Sequence, residues 1–209
     1  MLKCPELEPF VVKEFVNSKG IEFIGRNGGL ALPLGDDTNE AIIGDHLSIL
    51  TQICISSKDY YPVIHSLNFY DGARNLLKCN SEVLKEKICR FIGQLCKYSD
   101  YFYEYLEQAH LFDDLIVLCK DQSAAIRRSA CLALGNAAFH SDRLYRQLEK
   151  AIPLVIQLFY DSDERIRTNA IGTVNNLIRN SEVLYKTFVD LKVPQILRDL
   201  ALKDSSVLL

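Results

Sequence analysis

The sequence predicts an all-α solenoid of stacked three-helix repeats, and three observations carry that prediction. One set of residue columns recurs four times, the apolar residues of each copy fall at helical spacing, and strand-like alternation is nearly absent. The columns are clearest in the second half. Ile126-Arg127 aligns with Ile166-Arg167, Ala130 with Ala170, Asn136 with Asn176, Ser141 with Ser181, and Leu144-Tyr145 with Leu184-Tyr185. One residue further out of step, Ile152-Pro153 meets Val193-Pro194. Stepping back by a similar interval gives Gly93-Gln94, Ser99, Phe102-Tyr103 and Leu106, and a further step gives Thr51-Gln52, Ser57, Tyr60-Tyr61 and Ile64.

Periods of roughly 40 residues belong to armadillo and HEAT solenoids. The expected architecture is therefore a right-handed armadillo/HEAT-like superhelix of about four to five three-helix repeats, forming a single domain over residues 1–209. In chain order it comprises a partial repeat at 1–38, repeats at 39–80, 81–121, 122–162 and 163–203, and the truncated start of a further repeat at 204–209. Within the partial repeat, Glu8 to Asn17 and Ile21 to Ile24 read as two helices. Gly25 to Asp37 has no counterpart elsewhere and reads as a flexible insertion, since the strand and Lys-Ser/Thr of a phosphate loop are both missing. In each full repeat Ser57, Ser99, Ser141 or Ser181 supplies a helix N-cap, after which comes a short helix carrying the column Tyr61, Tyr103, Tyr145, Tyr185. That column is expected in the core. A second helix opens at Pro153 or Pro194 in two copies, where a missing N–H costs nothing. The third helix is longest, with Ile126, Ala130, Ala133, Leu134 and Ala137 on one face. The start and the Lys203-Asp204-Ser205-Ser206 end both look cut, which suggests a piece of a longer protein.

Composition narrows the function. Hydrophobic residues make up 48% and charged ones 24%, which suits a folded chain rather than a disordered one. With a formal charge of −3 and no basic run longer than Arg127-Arg128, a dedicated nucleic-acid binder is not expected. No apolar run approaches the length of a membrane span. The seven cysteines, Cys4, Cys54, Cys79, Cys89, Cys96, Cys119 and Cys131, show neither a C-x-x-C pair nor histidine at ligand spacing, so no metal site is expected. Their odd number and apolar settings point to a reducing compartment, cytosolic or nuclear. Catalytic motifs are missing: His46, His65, His110 and His140 are scattered, and Asp36-Asp37 and Asp113-Asp114 sit where helix capping suffices. The chain reads as a binding scaffold, with no cofactor and no enzymatic activity of its own.

Third helices line the concave face of an armadillo superhelix. The matching residues form a carboxamide column, Gln52, Gln94, Asn136 and Asn176, able to donate and accept hydrogen bonds along the backbone of an extended peptide. Arg90, Ser129, His140, Asn169, Thr173 and Asn180 lie one or two turns away and complete the candidate partner-binding set, with Lys87 nearby. The same carboxamides could instead bond neighbouring helices or face water. Asp121 and Asp161 precede Arg127 and Arg167 by six residues, with Lys85 in the same column, so stacked units could carry an Asp–Arg ladder.

The run Ala133-Leu-Gly-Asn-Ala-Ala-Phe-His-Ser-Asp-Arg-Leu-Tyr145, then Ala151-Ile-Pro153, then Arg167-Thr-Asn-Ala-Ile-Gly-Thr-Val-Asn-Asn-Leu-Ile-Arg-Asn-Ser181 resembles the C-terminal armadillo region of the Fused family of serine/threonine protein kinases. Gly93-Gln-Leu-Cys-Lys-Tyr-Ser-Asp-Tyr-Phe-Tyr103 looks like the preceding repeat of that region. The resemblance covers roughly residues 80–202. It implies a regulatory and targeting domain of a kinase, cytoplasmic and associated with the cytoskeleton or cilium. Implied pathways are Hedgehog signalling, cilium assembly or cytokinesis. The implied partner is a protein (an extended peptide, a coiled coil or a kinesin-like motor), met by a monomer or weak dimer. The other reading is an armadillo transport or adaptor protein that binds extended peptides. Armadillo proteins that clamp nuclear-localisation peptides carry Trp one turn before the Asn; here those places are Arg90, Leu132 and Gly172, and the chain has no Trp.

Overall fold

Long and short helices alternate along the chain in a fixed rhythm of two short and one long. The computed structural model describes residues 9–140, 142–179 and 182–203. It contains α1 (Pro9–Asn17), α2 (Gly20–Arg26), α3 (Asp37–Ser56), α4 (Tyr61–His65), α5 (Tyr70–Lys78), α6 (Glu82–Lys97) and α7 (Tyr103–Gln108). There follow α8 (Leu111–Leu118), α9 (Ala124–Ala137), α10 (Tyr145–Glu149), α11 (Ile152–Gln157), α12 (Glu164–Arg179), α13 (Glu182–Asp190) and α14 (Val193–Lys203). No strand occurs among the described residues. The fold is an all-helical repeat solenoid of the armadillo/HEAT kind.

The long helices α3, α6, α9 and α12 stack side by side in that order and form the spine. Against them lie the short helices, α5 on α6, α8 on α9 and α11 on α12. Ile126, Ala130, Ala133, Leu134 and Ala137 are all fully buried, as their spacing on α9 requires. One continuous apolar core runs from Val12 to Val193, because no single unit can cover its own apolar face.

Small residues let the long helices approach closely. A Cβ on Gly93 would stand 3.3 Å from the Ala133 Cα, and one on Gly135 only 2.6 Å from the Thr173 Oγ1. At the edge of the stack the charged ladder forms. Arg127 donates to both carboxylate oxygens of Asp161, at 2.8 and 3.1 Å, and to the carbonyls of Asp121 and Gln122. Lys85 makes the equivalent pair with Asp121 at 3.4 Å. Arg167 repeats the carbonyl contacts with Asp161 and Ser162.

Three expectations need correction. Gly25–Asp37 is not a free insertion. Arg26 closes α2, Gly28 and Gly29 take positive φ to turn the chain, and Leu30 is then buried to 4% exposure. The His46 Nδ1–H donates to the Gly29 carbonyl at 2.8 Å, and Gly72 lies so near Leu30 that a Cβ there would meet its carbonyl oxygen at 2.7 Å. Apolar burial and a bonded carbonyl hold the segment down. Second, the two column serines among the described residues, Ser57 and Ser99, cap a turn just ahead of the α-helix rather than the α-helix itself, Ser57 at the start of the 3-10 turn Lys58–Tyr60. Ser57 accepts from the Asp59 N–H and Ser99 from the Tyr101 N–H, each at 3.1 Å, starting a turn that precedes α4 or α7. Ser141 and Ser181 lie outside the described residues, as do residues 1–8 and 204–209.

Third, the tyrosine column divides. Tyr61, Tyr103 and Tyr145 are buried, and the Tyr103 hydroxyl donates to the Asn136 carbonyl of the following long helix at 3.0 Å. Tyr185 is 70% exposed. Its predecessors are covered by the long helix of the next unit, and the described residues hold no long helix after α13.

Candidate groove on the long-helix face

The carboxamide column lands on the seam between stacked helices. Asn136 Nδ2 donates to the Gly93 carbonyl of α6 and Asn176 Nδ2 to the Gly135 carbonyl of α9, each at 2.9 Å. These amides bond carbonyls near the C-terminal ends of α6 and of α9, and a Cβ on Gly93 would sit 3.7 Å from the Asn136 amide nitrogen. Their donors therefore tie helix to helix. Gln94 is half-buried, and its Oε1 is buried without a hydrogen-bond partner among the described residues. Gln52 is half-buried on α3.

The other candidates scatter in role. Thr173 is 2% exposed and its hydroxyl lies 3.1 Å from the Cys131 carbonyl and 2.8 Å from the Asn169 carbonyl. It packs within the α9/α12 seam, which removes it from a partner-facing surface; the Gly135 approach is what encloses it. His140 is exposed and its Nε2–H donates to the Lys97 carbonyl at 2.7 Å, where the C-terminal ends of α6 and α9 meet. Asn180 lies outside the described residues.

Arg90, Ser129 and Asn169 do come together. They line a groove of about 590 Å³ that crosses α6, α9 and α12, together with Glu86, Arg128, Leu132, Glu164, Arg165 and Thr168. Asn169 Nδ2 donates to the Arg128 carbonyl at 3.3 Å and so fixes the floor between α9 and α12. Leu132 is 44% exposed and supplies an apolar point in the middle helix. The side chains missed from sequence occupy columns whose chemistry changes at every repeat: Glu86, Arg128 and Thr168 share one, and Val83, Ala125 and Arg165 another. A search for recurring residue types passes over such columns. Reading the exposed face of each long helix for charge would have found them.

No cysteine is among the residues lining the groove. Cys54, Cys89, Cys96, Cys119 and Cys131 are buried, and burial pushes their thiols up, that of Cys131 to about 11. Among the described residues no group of three His, Cys, Asp or Glu could hold a metal ion, and no helix is long and apolar enough to cross a membrane.

Comparison with known proteins agrees with this architecture. A HEAT-like repeat family matches residues 124–177, the span of α9 to α12. An engineered protein superimposes with a TM-score of 0.84 at 17% identity, over 97% of this chain and 80% of its own. A designed armadillo repeat protein in complex with the peptide (KR)4 gives a TM-score of 0.80 at 16% identity, covering 90% of this chain and 77% of that one. A computationally designed armadillo repeat protein for modular peptide recognition gives 0.76 at 16% identity, with the same coverage of 90% and 77%. No curated protein sequence matches. The likeness is one of fold: a repeat solenoid whose stacked helices present a long face.

Proposed function

We propose that the chain is a protein-interaction scaffold that captures an extended segment of a partner along the face formed by α6, α9 and α12. The observation that carries this reading is the groove itself, which crosses three repeats and is lined by hydrogen-bonding and charged side chains around an exposed leucine. An extended segment suits it because each repeat contributes one step of a regular surface. The designed armadillo proteins of similar fold, one described for modular peptide recognition and one in complex with a peptide, support the same mode.

The test is a peptide-display selection against the whole chain, with binders counter-screened on a Leu132→Arg, Thr168→Arg variant whose groove is filled. Binders should be lost on that variant while its thermal melt stays close to wild type. Retained capture would move the binding face elsewhere.

A finer reading makes the chain the regulatory and targeting domain of a Fused-like serine/threonine kinase, cytoplasmic and cytoskeleton- or cilium-associated, with a kinesin-like motor as partner. Its support is the His140-Ser-Asp-Arg-Leu-Tyr145 and Asn176-Leu-Ile-Arg-Asn-Ser181 runs. Co-precipitation of a motor tail with the wild-type chain but not with the groove-filled variant is its check. The transport reading needs an acidic groove with aromatic shelves, whereas three arginines line this one and Leu132 stands where a Trp would.

A further inference from the structure

The groove has a sign. We infer that its ligand is an anionic extended protein segment, with carboxylate or phosphate side chains at intervals of about three to four residues; this rests on the groove being the binding face.

Charge is distributed unevenly over the molecule. The chain as a whole carries −3, yet the groove collects Arg90, Arg128 and Arg165 against Glu86 and Glu164. Among the described residues none of the three guanidinium groups forms an ion pair. Elsewhere arginine is neutralised where it is structural: Arg127, one residue from Arg128, is held by both oxygens of Asp161. The unpaired set on this face is therefore free to meet anions. A guanidinium recognises carboxylate and phosphate through paired N–H donors, which an amine does not match.

The three arginines come one each from α6, α9 and α12, and their register is diagonal. Aligned through Gln94, Asn136 and Asn176, Arg90 pairs with Leu132, Arg128 lies four residues before Leu132, and Arg165 three before Thr168, the partner of Arg128. Each step thus retreats about one helical turn, about 5 Å, while neighbouring helices stand about 10 Å apart. Successive Cα atoms are then about 11 Å apart. An extended chain advances about 3.3 Å per residue, so anionic side chains three to four residues apart would meet successive arginines. Between them Leu132 offers an apolar contact, and Thr168 and the half-buried Asn169 offer neutral polar ones. A basic segment meets three like charges on the same diagonal.

Fluorescence anisotropy on the whole chain tests this with four probes: (Glu-Ser-Ser)3, whose acidic side chains recur every three residues, the same peptide with phosphoserine in place of each glutamate, the neutral (Gln-Ser-Ser)3 and the basic (Lys-Arg)4. The glutamate peptide should bind at least about tenfold more tightly than the neutral one, and more weakly as salt rises through the range where screening acts. An Arg128→Gln, Arg165→Gln variant should lose about tenfold in affinity for the acidic probe and keep its affinity for the neutral one. Tighter binding of the phosphoserine probe supports the proposal and names phosphate as the preferred group; equal or weaker binding names carboxylate. Acidic binding unaffected by the arginine substitutions overturns the inference. Preference for (Lys-Arg)4, lost in the groove-filled Leu132→Arg, Thr168→Arg variant, also overturns it but leaves the groove as binding face. No binding by any probe, or tighter binding of single-stranded oligonucleotide than of any peptide, overturns both.

Discussion

Two junctions of the same helix stack are built from the same columns and are held differently. At α9/α12, Asn176 donates to the Gly135 carbonyl, Thr173 sits within reach of the Cys131 carbonyl, and Arg127 grips Asp161 through two bonds. At α3/α6, Gln94 takes the place of the asparagine and Thr51 that of the glycine; the Gln94 Oε1 is buried without a partner among the described residues, and Lys87 instead reaches the Gly44 carbonyl at 2.8 Å. One extra methylene and one missing glycine convert a bonded rung into an unbonded one. The polar order of the stack is therefore concentrated where the groove lies, on α6, α9 and α12.

The largest effects should show whether the two junctions differ in their apolar packing at all. Leu50→Ala on α3 and Leu134→Ala on α9 each empty a fully buried site and should cost about 2–5 kcal/mol in urea unfolding. Equal losses would place the difference in the polar contacts, and a much smaller loss at Leu50 would place it in the core. Next come the charged rungs. Arg127→Ala removes the partner of a nearly buried carboxylate and should cost about 1.5–3 kcal/mol. Lys85→Ala, a single longer contact, should cost less than about 1 kcal/mol.

That comparison has a pH signature. The hydrogen bond from Arg127 holds Asp161 below the usual carboxylate range. A depressed native pKa means that the contribution is complete above the unfolded value of about 4 and is lost as pH falls through the lower native value. Acid unfolding curves should show this loss in wild type and a weaker one in Arg127→Ala; curves of the same shape would remove Asp161 from the account.

Glycine substitutions separate the junctions more finely. A Cβ on Gly135 meets the Thr173 hydroxyl between two backbones, so Gly135→Ala should cost about 1–3 kcal/mol. A Cβ on Gly44 meets mainly the movable Lys87 amine at 3.1 Å, and Gly172 has nothing within 4 Å. Gly172→Ala should therefore stabilise by about 0.5–1 kcal/mol through helix propensity alone, with Gly44→Ala between the two, as read by thermal melts. The smallest contrast is polar. Asn176→Ala should cost about 1 kcal/mol. Gln94→Leu should stay within about 0.5 kcal/mol of wild type, since it removes an oxygen that has no partner among the described residues.

Much of this was legible in the sequence because repetition makes errors visible. The face of Ile126, Ala130, Ala133, Leu134 and Ala137, the long third helices and the Asp–Arg rungs all follow from periodicity and a fixed six-residue offset. Tyr185 was misjudged because its column is a core column only when another long helix covers it. Thr173 was misjudged because nothing in its own segment announces that Gly135, in the preceding repeat, brings a neighbouring backbone against it.

By itself the sequence determined the helices, their repeat and the spine, since these depend on local propensity and on apolar spacing that each unit carries within itself. Only the tertiary structure decided which polar side chains line the groove and which are bonded across the seam. Asn136 and Asn176 each give an amide hydrogen bond to the preceding long helix, while Arg90, Arg128 and Arg165, drawn from non-matching columns, converge on one groove. The reason is geometric: whether a side chain is consumed or displayed depends on what stands across the seam, and that distance is set by stacking rather than by order along the chain.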